Sequence, residues 1–114
     1  MSLILGHGEL YIQTRKIHNS PIYPQLWLTK PYTSVDKKAA VLPDIVYDLK
    51  HTPWVFAANN TYTTIIDKTG TGLMNEGGKT YSEKILDEVW RVLKVGGIFY
   101  GHNGITIKKD TDSI

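Results

Sequence analysis

The sequence predicts an α/β domain: an open, mostly parallel sheet that ends in a C-terminal antiparallel hairpin. Three observations carry this. Residues 44–49 are a short apolar run that suits a strand covered on both faces, and 3–5 and 62–66 are β-prone or β-branched runs. Ile85, Leu86, Val89, Val92 and Leu93 recur at the spacing of one helical face. Asn103-Gly104, between residues 98–100 and an alternating stretch at 105–108, is a tight-hairpin signal. Strands separated by covering segments pack as an α/β sheet.

In chain order, residues 3–5 form a first strand that stops at Gly6-His7-Gly8 and resumes over 9–13. Residues 14–24 are polar and proline-bounded, an irregular loop, and 25–29 read as a second strand ended by Pro31. Ser34 is placed to cap a short helix over 35–41, with Asp36 in its first turn, before Pro43 breaks it. Residues 44–49 are the third strand, carrying Asp44 and Asp48. A loop over 50–60 leads to the β-branched strand 62–66, which ends at Asp67. Residues 68–79 are a glycine-rich loop.

Ser82 is the expected N-cap of the long helix, with Glu83 at the positive end of its dipole. Lys84–Glu88 and Asp87–Arg91 are spaced as i,i+4 ion pairs on its outer faces. Gly96 and Gly97 are expected to end the helix in left-handed geometry and turn the chain into the next strand. A polar tail follows from about residue 109. At 114 residues, one domain over 1–114 is expected.

The formal charge of +2 is too small to argue for nucleic acid. Arg15-Lys16, Lys37-Lys38 and Lys108-Lys109 are isolated pairs, not a stripe that would track phosphates. The chain has no cysteine, which excludes disulfides and thiolate zinc sites. Its four histidines show no i,i+4 pairing, so no metal is expected. No basic region or cleavage signal marks the first residues as an export signal, and no apolar run is long enough for a bilayer. An intracellular, cytoplasmic protein without membrane association is expected. Aromatics make up 11% of this short chain, and Trp90 lies beside the helix's apolar stripe, which favours completion of the core by a homodimer.

The stretch LDEVWRVLKVGGIFY (86–100) resembles the helix–Gly-Gly–strand segment of the class I S-adenosylmethionine-dependent methyltransferases, which commonly ends RVLKPGG; Val95 stands in place of the proline. PDIVYDLKHTPW (43–54) is similar to that family's third strand and the following loop. YTTIIDKTGTGL (62–73) looks like its fourth strand, and LILGHGEL (3–10) like a reduced first strand and glycine loop. The resemblance implies a minimal Rossmann-like fold, S-adenosylmethionine as cofactor, and methyl transfer to an acceptor that the sequence does not name. By position, Gly6, His7 and Gly8 would approach the carboxypropyl end of the cofactor, Asp48 and Leu49 its adenine, and Asp67 its methyl group.

The family also places an acid at the end of its second strand for the ribose hydroxyls. Residues 25–29 are followed there by Lys30, which has no acceptor to offer. The glycine loop holds only Gly6 and Gly8, followed by Glu9, and the family's next helix finds little support between Glu9 and Pro24. Together these departures give a second reading, a catalytically inactive methyltransferase-fold interaction or scaffold protein of viral or mobile-element origin. Asp48 and Asp67 fit the capping of loops as well as they fit ligand contact. Residues 72–80 fall one residue short of a phosphate-binding P-loop, since Leu73 stands where the first glycine is needed.

Overall fold

The computed structural model describes residues 1–6, 32–41, 43–69, 72–75 and 79–111. The expected strands at 9–13 and 25–29 and the loop at 14–24 lie outside them. Among the described residues, β1 (Ser2–Leu5), β2 (Tyr32–Asp36), β3 (Ile45–Val46), β4 (Tyr62–Asp67), β5 (Leu93–Tyr100) and β6 (Thr106–Lys108) form one sheet, and a single α-helix, α1 (Glu83–Val92), precedes β5. The strand order is β3-β2-β1-β4-β5-β6. The first five strands run parallel and β6 pairs antiparallel to β5, so the expected architecture holds.

β1 and β4 are central because both their faces are apolar. Leu3, Leu5 and Ile65 belong to the main core with α1, while Ile4 and Ile66 are just as buried and alternate to the other face. Ile85, Val89 and Val92 of α1 pack onto that core with Phe99, Tyr62 and Trp54. Full burial of one such aliphatic side chain stabilises by about 1.5–3 kcal/mol.

The helix expected over 35–41 is instead β2 followed by a 3-10 turn at Ala39–Val41. Ser34 does not cap: its N–H donates to Asp44 Oδ2 at 2.9 Å, and its hydroxyl oxygen accepts the Asp44 N–H at 3.1 Å. That reciprocal pair ties β2 to the start of the next segment, and Val35 is fully buried beside β1. Tertiary pairing overrides the local capping signal. β3 is likewise only two residues long, not six, and Val46 on this edge is 57% exposed.

Ser82 caps α1 as expected, its Oγ accepting the Ile85 N–H at 3.4 Å. The double glycine does something else than expected. The helix ends at Val92, and Leu93 is already extended (φ −70°, ψ 139°). Gly96 and Gly97 lie inside β5, in a bulge where the register runs from Tyr62↔Leu93 to Thr64↔Ile98. Gly96 takes φ +90°, and a Cβ on Gly97 would stand 3.0 Å from the Thr63 carbonyl oxygen. Lys109, the residue after β6, clamps the bulge: its carbonyl accepts the Gly96 N–H and its N–H donates to Gly97 O. Lys109 is 3% exposed, and its Nζ donates to Asn60 Oδ1 and Leu93 O. The polar tail therefore starts after Lys109. The Asn-Gly hairpin forms as expected, with Asn103 at φ 58° and Gly104 at φ 76°.

The i,i+4 pairs expected on α1 give way to an i,i+3 pair. Arg91 pairs with Glu88 at 2.9 Å, and Glu88 is only 7% exposed. Glu88 Oε1 also accepts the Trp54 N–H, and Arg91 reaches the carbonyls of Trp54 and Ala57. Burial pushes the Glu88 carboxyl up, but the Arg91 and Trp54 hydrogen bonds and the Arg91 charge outweigh it and hold the pKa below the usual glutamate value. The loop after β3 is thus pinned to the helix. Trp54 passes the constraint on, since its Nε1–H donates to Leu49 O at 2.8 Å.

Candidate functional site

The strand order reverses between β1 and β4, and the parallel strands all end on one rim. In open α/β sheets that is where a crevice forms. Here a cavity of about 270 Å³ opens at that point, bordered by Gly6 after β1, Asp36 at the end of β2, Asp48 and Leu49 after β3, and Lys68 and Thr69 after β4.

Gly6 sits at φ +85°, a left-handed conformation that side chains disfavour. Its N–H donates to Val35 O at 2.8 Å, and Lys68 N–H donates to Leu5 O at 2.7 Å. The first bond ties the β1 turn to β2, and the second draws it against the loop after β4. A Cβ on Gly6 would come within 2.8 Å of Thr69 Cγ2 and 3.1 Å of Thr69 N. Glycine is required for this approach.

Two carboxylates stand on the β2–β3 side. Asp36 is half-buried, and its Oδ1 accepts the Lys38 N–H at 2.9 Å. Its carbonyl accepts the Tyr47 N–H at 3.0 Å, which brings the loop after β3 alongside. Asp48 takes the Lys50 N–H on Oδ1 at 3.0 Å, and the exposed His51 imidazole lies 4.0 Å from its Oδ2. A carboxylate has about four acceptor positions, so one such bond does not exhaust it. Leu49 and Leu73, each 6% exposed, supply apolar wall, and Tyr47 adds a half-buried ring. Lys68 is half-buried at the crevice; burial lowers its pKa, partly offset by the neighbouring Asp67 charge.

Of the residues expected at the site, Gly6, Asp48 and Leu49 come together in this crevice. His7 and Gly8 lie outside the described residues. Asp67 does not border the cavity. It is 3% exposed, and its carboxylate is turned inward. Oδ1 accepts the N–H and hydroxyl of Thr69, and Oδ2 accepts the Tyr81 hydroxyl. Tyr81 in turn accepts the His102 N–H at 2.7 Å. Asp67 shapes the loop that borders the crevice and joins it to the end of β5. The near-P-loop is different again. Met74 bridges to Tyr81, and Asn75 N–H donates to Thr80 O at 2.7 Å. Those bonds pair residues 74–75 with 80–81, while 76–78, which hold the two glycines before Lys79, lie outside the described residues.

Sequence reasoning missed Asp36. Lys30 lies outside the described residues, whereas the strand beside β1 is Tyr32–Asp36, and it ends in an acid. The Tyr-Thr-Ser-Val run before it was the available signal.

No helix among the described residues is long and apolar enough to cross a membrane. Comparison with family models, with curated proteins and with solved structures finds no match for the chain.

Proposed function

We propose that the chain is a Rossmann-like, class I methyltransferase-like domain that binds S-adenosylmethionine in the crevice between β1, β2, β3 and β4. The observation that carries this is the meeting of Gly6, Asp36 and Asp48 at the strand-order reversal. The residues present suit the cofactor. Asp36 offers a carboxylate to the ribose hydroxyls and Asp48 one to the adenine amino group, each an acceptor facing donors. Leu49 and Leu73 supply an apolar wall for the base. The strand order puts Gly6, Lys68 and Thr69 toward the other end, where a close backbone, a cation and a hydroxyl suit the amino-acid moiety.

When bound, the cofactor supplies an electrophilic methyl group on a sulfonium. What the chain must add is position and exclusion of water, and neither calls for a nucleophilic side chain. The acid at the end of β2 removes one of the reasons to prefer an inactive scaffold. Calorimetric titration of the full chain with S-adenosylmethionine and S-adenosylhomocysteine tests the proposal. Saturable heat with a dissociation constant of about 1–100 µM, −8 to −5.5 kcal/mol, is expected. No heat at high micromolar concentration leaves only a methyltransferase-shaped scaffold.

A further inference from the structure

We propose that a second crevice, adjoining the first, binds an oxyanion of the methyl acceptor, a carboxylate or a phosphate. This rests on the methyltransferase reading above. The second crevice has a volume of about 220 Å³ and shares Lys50, Gly72 and Leu73 with the first. Gly72 in the common wall donates its N–H to Thr69 O, at the end assigned to the amino-acid moiety, so an acceptor anchored in the second crevice can extend past Gly72 toward the methyl group.

The two crevices differ in charge. The first carries Asp36 and Asp48 along with its lysines. The second adds Thr52, Ser82 and Lys84 to Lys50, and no carboxylate is among its described lining residues. Glu83, exposed next to Lys84, lies outside that lining. Lys50 and Lys84 are both exposed, so their ammonium groups are not consumed by the core. Ser82 uses an oxygen lone pair to cap α1, which does not engage its hydroxyl hydrogen. Two ammonium groups and two hydroxyls make a donor set that favours an anion and repels a cationic acceptor. Lys50, on both walls, stands between the acceptor's charge and the cofactor's site.

The test is an amide-shift titration of the full chain with inorganic phosphate and, separately, acetate, at constant ionic strength. It is run on wild type and Lys84→Glu, beside the cofactor calorimetry. Lys84 borders only the second crevice, so Lys84→Glu should leave cofactor heat unchanged. Saturable shifts at Thr52, Ser82 and Lys84 are expected, weakened about tenfold or more in the variant. The tighter of the two anions names the acceptor's group. No saturable shift, or equal binding by Lys84→Glu, overturns the proposal by itself while cofactor heat still stands. Phosphate binding without any cofactor heat overturns it through the methyltransferase reading instead.

Discussion

The rim of the crevice and the block made by residues 54–60, α1, β5 and β6 handle charge in opposite ways. In the block, Glu88 and Lys109 are buried, and backbone and side chains surround each of them with hydrogen bonds. At the rim, Asp36 and Asp48 are half-buried, and the bonds shown to their carboxylates come from backbone N–H groups two residues on. Charge in the block is spent on holding the chain together. Charge on the rim borders the cavity. Substitutions in the first region should therefore change folding, and substitutions in the second should change binding.

The largest effect is expected at Glu88. Glu88→Ala leaves Arg91 without its carboxylate and removes the acceptor for the Trp54 N–H, so unfolding free energy should fall by about 3–5 kcal/mol. Denaturant titration measures this, and a loss under about 1 kcal/mol would erase the contrast between block and rim. The same carboxylate sets a pH dependence. Its folded pKa lies below the unfolded one, so its contribution is complete above the ordinary glutamate value of about 4.3. That contribution is lost as pH falls through the lower folded value. Glu88→Gln should flatten the acid limb of the stability curve relative to wild type.

The contrast also explains what could be read from the residues alone. The start and apolar face of α1, its Ser82 cap, β4 and the Asn103-Gly104 hairpin are set by local rules, namely helical spacing, capping, β-branching and positive φ, and they appear where expected, whereas the end of α1 does not. β2 and the Gly96-Gly97 bulge are set by partners distant in sequence. Ser34 chose Asp44 over a helix, and Gly97 faces the Thr63 carbonyl across the sheet. Site residues divide along the same line. Gly6 and Asp48 stand out locally as a glycine turn and an acid after an apolar run. Asp36 becomes visible only once β2 is known to pair with β1, and Asp67 looks like a ligand until Tyr81 is found covering it.

An intermediate effect is expected where rim and core meet. Gly6→Ala puts a side chain at φ +85° against Thr69, costing about 1–3 kcal/mol and narrowing the crevice. Thr69→Ser removes the methyl group nearest that Cβ but keeps the hydroxyl that Asp67 accepts. The cost of Gly6→Ala should therefore shrink, without vanishing, in the Thr69→Ser background, because the backbone conformation and the Thr69 N contact remain. Thermal unfolding of the four proteins in this cycle reads the coupling. Strict additivity would mean that the β1 turn is not pressed against the β4 loop.

The smallest effect on stability, and the sharpest on binding, belongs to Asp36. Asp36→Asn keeps the size of the side chain and one oxygen acceptor, so unfolding free energy should move by less than about 0.5 kcal/mol. The amide nevertheless replaces a charged acceptor with a donor beside a diol, and cofactor affinity should weaken about tenfold, or ~1.4 kcal/mol. Unchanged affinity would move the ribose away from the end of β2, whereas a large stability loss would make Asp36 part of the scaffold. The informative quantity is the ratio of the two losses: at Glu88 stability should dominate, at Asp36 affinity should, and a rim carboxylate earns the name of ligand only when its loss costs the fold almost nothing.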